Sequence, residues 1–317
     1  MNFRKRIRVG VIGVGYLGKL HAEKYSKIPE AELVGVTDID SGRAKEIASL
    51  AGTKAYPSYK DFFGKVDAVS IVTPTESHAK VGLEFLSKGI DVLMEKPIAA
   101  NLLEADSLIK EAAKSKAVLQ VGHLERFNAA FAEAKKRVSS PAYIEAHRLS
   151  PFPNRSTDVD VILDVMIHDI DIVLSLMKSE VAGIEASGTP VVTDKLDICN
   201  ARLKFKNGCT ANIIASRVAR EKVRRLNIAQ SGSLISVDFL NQQLFISKVS
   251  PGRPFGTITE EEVKITKGDS LFEELRSFLI CSKEKAAPIV SGHDGRAALE
   301  VAERVREAAL LKGAGLS

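Results

Sequence analysis

The chain has 317 residues, of which 45% are hydrophobic and 27% charged, a composition typical of a globular protein with about two domains. The formal net charge is +5, and acidic residues are interleaved with basic ones, so no basic tract for nucleic acid is present. The sequence contains no run of about 18 apolar residues, so we expect no membrane span. The three cysteines lie far apart, which argues against disulfides and structural zinc. We therefore expect a cytoplasmic protein without a metal, a nucleic-acid partner or a membrane partner.

The N-terminal region predicts a dinucleotide-binding strand, loop and helix. A β-rich run at residues 7–12 leads directly into the loop Gly13-Val14-Gly15-Tyr16-Leu17-Gly18, and a helix pattern follows. Gly13 permits the tight turn, Gly15 lets the backbone approach a pyrophosphate, and Gly18 lets helix and strand pack closely. The helix N-terminus then offers unpaired N–H groups to the phosphates. The alternative is a βαβ unit whose glycine-rich turn binds no ligand.

An acidic residue ends the second predicted strand, which spans residues 32–37. Asp38 lies about 20 residues past the loop, where a carboxylate can accept hydrogen bonds from an adenosine ribose. The same carboxylate repels a 2′-phosphate, so we expect NAD as the cofactor. Arg43 and Lys45 follow closely and keep NADP as the less favoured alternative.

Strand and helix patterns alternate up to about residue 121. Further strands are predicted at residues 68–73, 91–94 and 117–121, and helices at residues 41–51, 77–88 and 102–115. Such alternation predicts an α/β fold, a doubly wound parallel sheet with helices on both faces. We therefore expect a Rossmann domain over residues 1–121.

The pattern changes beyond residue 126, where strands begin to follow one another. The predicted elements are helices at 128–138 and 159–178, a strand at 143–149, successive strands between 181 and 266, and helices at 270–281 and 293–311. Runs of neighbouring strands predict a mixed or antiparallel sheet. Residues 122–317 are therefore expected to form an α+β domain.

Two strand ends in the first domain carry candidate site residues, because ligands of open parallel sheets bind beyond the C-terminal ends of strands. One strand opens into residues 73–78, which read T-P-T-E-S-H. Thr73 can offer backbone and hydroxyl groups to the cofactor, and Pro74 fixes the turn. The alternative is a proline-stiffened turn in which Thr75 or Ser77 caps a helix and His78 is solvated.

The other strand opens into Glu95-Lys96-Pro97. Pro97 removes a hydrogen-bond donor and restricts Lys96 to extended conformations, which aims the lysine side chain over the strand ends. An ammonium there can hydrogen-bond a substrate alcohol and favour its alkoxide. An ordinary surface lysine is the alternative for Lys96.

The long helix at 159–178 combines apolar residues with one polar stripe. The stripe consists of Asp160, Asp164, His168, Asp171 and Ser175, whose spacing places them on one helix face. Because the rest of the helix is apolar, it should be buried, and the stripe then needs partners or a water-filled cleft. His168 can act as a general base, with Asp164 or Asp171 fixing its tautomer. An amphipathic helix with a narrow wet face is the alternative.

Taken together, these motifs resemble the glucose-fructose oxidoreductase / inositol dehydrogenase / rhizopine-catabolism family. The resemblance rests on residues 13–18, 95–97, 121–128, 164–171 and 288–292, and so covers nearly the whole chain. It implies a Rossmann domain and an α+β domain with a large open-faced sheet for substrate binding and oligomerisation. It also implies a nicotinamide cofactor, hydride transfer at a sugar carbon, and a homodimer or homotetramer.

The resemblance also implies roles for individual residues. Lys96 matches the catalytic lysine, His168 the active-site acid/base, and Asp164 the residue four before it. Family members often have glycines where this chain has Met166-Ile167, a departure expected to narrow or reline the pocket. The predicted cofactor-binding residues are Gly13, Gly15, Tyr16, Leu17, Gly18, Asp38, Thr73, Pro74, His78, Glu95 and Lys96. The predicted substrate-binding residues are Arg126, Asn128, Arg148, Arg155 and Asp171.

Residues 123–128 and 147–152 resemble the branch of the family that oxidises UDP-N-acetylglucosamine at the sugar 3-hydroxyl. Arg148, Arg155 and the basic segment 220–225 can meet a diphosphate, unless they are solvated strand or loop residues. We therefore predict an NAD-dependent oxidoreductase for a sugar or nucleotide sugar. The alternatives are a free-sugar or inositol-type polyol dehydrogenase, and a non-catalytic NAD-binding regulator on the same fold.

Overall fold

The structure is a computed structural model that describes residues 6–152, 159–250 and 256–313. The strands are β1 (Ile7–Ile12), β2 (Ala31–Thr37), β3 (Lys54–Tyr56), β4 (Ala68–Ile71), β5 (Asp91–Glu95), β6 (Leu119–Gly122), β7 (Pro141–Leu149), β8 (Val181–Thr189), β9 (Ile198–Phe205), β10 (Thr210–Ser216), β11 (Val223–Gln230), β12 (Ser233–Asp238), β13 (Gln243–Ser250) and β14 (Thr257–Val263). The α-helices are α1 (Tyr16–Tyr25), α2 (Ser41–Ala51), α3 (His78–Leu86), α4 (Leu102–Ser115), α5 (Ala129–Lys135), α6 (Ile167–Leu176), α7 (Ser270–Glu284) and α8 (Gly292–Gly313).

The described residues separate into two compact units. Unit 1 takes the residues up to Leu124 together with Asp269–Arg296, and unit 2 takes Glu125–Gly268 and the residues from Ala297 onward. Each unit contains one sheet. Among the described residues, no helix is both long and apolar enough to cross a membrane.

Unit 1 is built on a parallel six-stranded sheet with the order β3-β2-β1-β4-β5-β6. Strands β4 and β5 are buried along their whole length, as expected for a sheet covered by helices on both faces. The strand order reverses between β1 and β4, and ligands of such sheets bind at that point. The predicted doubly wound parallel sheet is confirmed, and the short strand β3 is an addition that the sequence pattern did not reveal.

A late segment of the chain completes the core of unit 1. Leu275, Phe278 and Leu279 of α7 are fully buried in the same apolar cluster as Val9 and Val11 of β1. The boundary expected after residue 121 placed this segment in the second domain. The apolar face of α7 instead packs into the core of unit 1, so this unit is discontinuous in sequence.

Unit 2 is built on a mixed eight-stranded sheet with the order β14-β13-β12-β11-β7-β10-β9-β8. Strands β7 and β10 pair in parallel and the other neighbours pair antiparallel. Along β7, buried Ile144 and Ala146 alternate with half-buried Glu145 and His147, because successive side chains of a strand point to opposite faces. The α+β architecture predicted for this region is confirmed.

The predicted long helix at 159–178 is divided into two parts. Residues Ile162–Met166 form a π-helical turn, and α6 follows directly. The wider turn breaks the 3.6-residue spacing on which the predicted polar stripe depended. Asp160 does not belong to the predicted polar stripe. Its Oδ1 instead accepts hydrogen bonds from the backbone N–H groups of Ile162 and Leu163. Its other oxygen, Oδ2, contacts Arg306 at 2.7 Å.

Candidate active site

The glycine loop between β1 and α1 has the geometry that a dinucleotide site needs. Gly13 has a φ of +82°, and a Cβ there would lie 2.6 Å from the Val72 carbonyl oxygen. A Cβ on Gly18 would lie 1.9 Å from the Gly13 carbonyl oxygen, whereas a Cβ on Gly15 would meet nothing within 4 Å. Gly13 and Gly18 are therefore required by the fold itself. Gly15 leaves open space before the N-terminus of α1, which fits the pyrophosphate of a dinucleotide.

The flanks of this loop carry the other predicted residues of the first βαβ unit. Oδ2 of Asp38 accepts a hydrogen bond from the backbone N–H of Val14 at 2.8 Å, so its carboxylate lies against the loop. Arg43 approaches Asp38 to 3.6 Å and partly offsets its charge. Tyr16 is 67% exposed at the start of α1. Ile39 is fully exposed beside Asp38, so this apolar side chain is a further candidate for contact with an adenine ring, and its exposure was not visible in the sequence pattern.

The loop that follows β4 is held by a buried histidine. The Ser77 hydroxyl donates to the Thr73 hydroxyl at 2.7 Å. His78 is 1% exposed, and its Nε2 and Nδ1 lie 2.9 Å from the carbonyl oxygens of Thr73 and Pro97. The alternative of a solvated His78 is therefore wrong, because the ring is enclosed between two backbone segments, while its assignment to the cofactor site stays a prediction. Burial lowers the pKa of His78, although the two carbonyl contacts and the charge of Glu95 act in the opposite direction.

The end of β5 places Lys96 above a buried carboxylate. Glu95 is 6% exposed, its Oε2 accepts from the backbone N–H of Lys96 at 3.2 Å, and its Oε1 lies 3.2 Å from Nε2 of His21. A Cβ on Gly122 would come within 3.0 Å of the same carboxylate. Burial opposes ionisation of Glu95, but His21 and the charge of Lys96 outweigh it and lower the pKa of Glu95. Lys96 itself is half-buried, and the Lys96–Pro97 peptide bond is cis.

In unit 2, the predicted acid/base residues lie where the π-helical turn meets α6. Asp164 belongs to the π-helical turn and His168 to the first turn of α6, and both side chains are half-buried. Asp171, which one alternative assigned to fixing the tautomer of His168, pairs with Arg126. Both of its carboxylate oxygens accept hydrogen bonds from Arg126, at 2.6 and 2.7 Å.

A second buried ion pair lies beside this one. Arg148 donates to both carboxylate oxygens of Asp169, at 2.8 and 2.9 Å, and to Glu125 at 2.7 Å. Burial opposes the charge of Arg148, but the two carboxylates outweigh it and raise the pKa of Arg148. Arg224 donates to the same oxygen of Glu125 at 3.0 Å, and its side chain is 35% exposed. We call Glu125, Arg148, Asp169 and Arg224 the arginine–carboxylate cluster.

These contacts place most of the predicted substrate-binding residues inside unit 2. Arg126, Arg148 and Asp171 are paired as described above and at least 92% buried. Asn128 caps α5 through its Oδ1 and donates to the Phe239 carbonyl oxygen through its Nδ2. Their polar groups thus bind other parts of the protein, and contact of these residues with substrate stays a prediction. Arg155 lies outside the described residues.

The chain matches two family models. One is described as an oxidoreductase family with an NAD-binding Rossmann fold and covers residues 7–123, and the other is the GFO/IDH/MocA C-terminal domain and covers residues 120–234. The chain therefore belongs to the GFO/IDH/MocA oxidoreductase family, an enzyme family whose dinucleotide is NAD. The resemblance and the cofactor predicted from the sequence are confirmed.

Individual relatives agree with this assignment. The chain is 41% identical to the UDP-N-acetylglucosamine 3-dehydrogenase of Acidithiobacillus ferrooxidans, over 95% of this chain and 97% of that protein. A solved structure of that enzyme has a TM-score of 0.92 at 40% identity, covering 96% of this chain and 98% of that chain. The myo-inositol 2-dehydrogenase of Thermotoga maritima is 28% identical over 92% of this chain and 93% of that protein.

Proposed function

We propose that this chain is an NAD-dependent dehydrogenase of a nucleotide sugar and that it oxidises the 3-hydroxyl of UDP-N-acetylglucosamine. The observation that carries this proposal is the 41% identity to the UDP-N-acetylglucosamine 3-dehydrogenase along nearly the full length of both chains. Similarity to the myo-inositol enzyme also extends over the chain, but at 28% identity. A free polyol is therefore the second candidate substrate.

The proposed chemistry assigns one task to each candidate residue. His168 accepts the proton of the sugar hydroxyl, and Asp164 supports that histidine. The ammonium of Lys96 donates a hydrogen bond to the same sugar oxygen and stabilises the developing alkoxide. NAD, when bound, supplies the acceptor for the hydride that leaves the sugar carbon.

Arg224 is the residue we propose for contact with the substrate diphosphate. The Nη1 of Arg224 donates a hydrogen bond to Glu125, and about a third of the Arg224 side chain is exposed. Arg148 lies directly opposite on β7, but three of its nitrogen atoms are bound to carboxylates. A guanidinium that is fixed by one carboxylate and is also partly exposed to solvent is suited to bidentate binding of a phosphate.

The test compares NAD reduction with UDP-N-acetylglucosamine, N-acetylglucosamine and myo-inositol. We expect turnover only with the nucleotide sugar, a loss of kcat of about 100-fold or more in Lys96→Ala, and an increase in KM of about tenfold in Arg224→Gln. Arg202→Gln, which changes an exposed arginine on β9, should leave both constants unchanged. Faster turnover of myo-inositol, or a Lys96→Ala variant within a fewfold of wild type, would refute the proposal.

A cytoplasmic location and a homodimeric or homotetrameric assembly belong to the same proposal. The three cysteines are free and buried, which is consistent with a reducing compartment. Light scattering of the purified protein would establish the assembly, and a monomeric mass would contradict it.

A further inference from the structure

Lys96 stands between two residues that are each held by a buried histidine. On one side, the Glu95 carboxylate contacts His21 at 3.2 Å. On the other side, the Pro97 carbonyl oxygen contacts His78 at 2.9 Å. Both histidine side chains are at most 1% exposed, so each ring occupies a fixed place in the core of unit 1.

The contact on the Glu95 side reaches the backbone of Lys96. The carboxylate of Glu95 accepts a hydrogen bond from the Lys96 N–H at 3.2 Å, while His21 approaches its other oxygen. Gly122 lies so close that a Cβ would stand 3.0 Å from this carboxylate, which limits where the carboxylate can go. The lowered pKa of Glu95 agrees with an ionised carboxylate between His21 and Lys96. Fixing this carboxylate therefore fixes the start of the Lys96 turn.

The contact on the Pro97 side joins two loops. Nδ1 of His78 reaches the Pro97 carbonyl oxygen, and Nε2 of the same ring reaches the Thr73 carbonyl oxygen. The ring therefore bridges the segment that follows β5 and the segment that follows β4. Both segments lie at the edge of the sheet where ligands of such folds bind.

Each histidine also belongs to an element that begins in the expected cofactor site. His21 is on α1, whose N-cap residue is Gly15, and His78 begins α3 directly after the Thr73 loop. A single histidine ring thus connects the element that begins at each of these loops to a neighbour of Lys96.

We propose that His21 and His78 are positioning residues that hold Lys96 in register with the two loops of the dinucleotide site. The proposal rests on the function assigned above to Lys96. Both rings are at most 1% exposed, so we expect their effect on catalysis to pass through the lysine. Displacement of a catalytic group by about 1 Å can reduce turnover by about 100-fold.

The ring nitrogen used differs between the two positions, and this permits a sharp test. His21 acts through Nε2, whose place the amide nitrogen of glutamine can take, whereas His78 reaches Pro97 through Nδ1, whose place the amide nitrogen of asparagine can take. We expect His21→Gln to keep kcat within about threefold of wild type. His78→Asn keeps the contact with Pro97 but loses the contact with Thr73, so it should retain a kcat at least about threefold higher than that of His78→Gln. His21→Asn and His78→Gln should lose about tenfold or more.

Two further measurements distinguish an effect on the position of Lys96 from a loss of packing in the core around each histidine. NADH affinity, measured by fluorescence titration, and the thermal unfolding temperature should be similar within each Asn/Gln pair. In a Lys96→Ala background, His21→Asn and His78→Gln should cause no further loss of single-turnover rate, because coupled residues are not additive. The same amide preferred at both positions, equal losses for both amides, or losses that persist without Lys96 would overturn the proposal. Full turnover of Lys96→Ala alone would instead overturn the function assigned to the lysine.

Discussion

Two alanine substitutions in the glycine loop should separate the requirements of the fold from those of the cofactor. In Gly18→Ala, the new methyl group would lie 1.9 Å from the Gly13 carbonyl oxygen, about 1.5 Å closer than an ordinary contact. Backbone must move to relieve this clash, and such overpacking costs about 1–3 kcal/mol or more. The higher helix propensity of alanine returns about 1 kcal/mol. Because a 1.9 Å approach to a backbone oxygen is a severe clash, the cost should lie at the upper end of that range, and we expect a net loss of about 2 kcal/mol in the free energy of unfolding.

In Gly15→Ala, the new methyl group meets no protein atom within 4 Å, and the φ of −64° at this position suits alanine. The free energy of unfolding should therefore stay within about 1 kcal/mol of wild type. The methyl group would occupy space expected for the pyrophosphate, so NADH affinity should fall about tenfold or more. At a ligand concentration of about 100 times the wild-type Kd, stabilisation by the ligand would drop from about 2.7 to about 1.4 kcal/mol.

The assay combines urea unfolding, with and without NAD, and fluorescence titration with NADH. Gly268→Ala is the control, because a Cβ there also meets nothing within 4 Å and the residue is exposed and far in sequence from the loop. Unchanged NADH affinity in Gly15→Ala would refute the placement of the pyrophosphate. An unchanged free energy of unfolding in Gly18→Ala would refute the packing argument.

Three further predictions concern buried groups. Arg148→Leu leaves the carboxylate of Asp169 without its bidentate partner and should destabilise the protein by about 3–5 kcal/mol in urea unfolding; a loss below about 1 kcal/mol would contradict the pairing. Burial raises the pKa of the Cys199 thiol to about 12, so its alkylation at pH 8, followed by mass spectrometry, should be about 100-fold slower in the native protein than in urea; similar rates would exclude such burial. Burial opposes ionisation of Asp197, but backbone donors and Arg217 outweigh it and lower its pKa. The stability that ionised Asp197 contributes is thus present above a pH of about 4 and lost as the pH falls. In Asp197→Asn, the free energy of unfolding should therefore fall less steeply as the pH is lowered below about 4. The same slope as in the wild type would disprove this.

The glycine loop between β1 and α1 was the most predictable part of the molecule, because its geometry selects glycine. A φ of +82° at Gly13 and a Cβ clash at Gly18 leave few residues other than glycine possible. The glycines in the sequence therefore indicate the backbone conformation of the loop directly. The alternation of strands and helices in unit 1 was readable for a similar reason, since each element must bury one apolar face.

The buried ion pairs could not be predicted, because pairing depends on distance in space. Arg126 and Asp171 are 45 positions apart, and nothing in the sequence distinguishes an arginine that binds a carboxylate from one that binds a diphosphate. The same holds for His21, which gains its partner from the end of β5. The π-helical turn at Ile162–Met166 was also hidden, since apolar residues with a 3.6-residue spacing fit an uninterrupted helix equally well.

The discontinuity of unit 1 has a consequence for biosynthesis. A ribosome makes strands β1–β6 well before α7, yet Leu275, Phe278 and Leu279 share their apolar cluster with Val9. Part of the apolar core of unit 1 therefore stays uncovered in the nascent chain until roughly 150 further residues have been translated. At ordinary elongation rates this takes about 10–30 seconds. A fragment ending at residue 124 should consequently bind a hydrophobic dye and recruit chaperones in a translation extract, whereas the finished polypeptide should do neither.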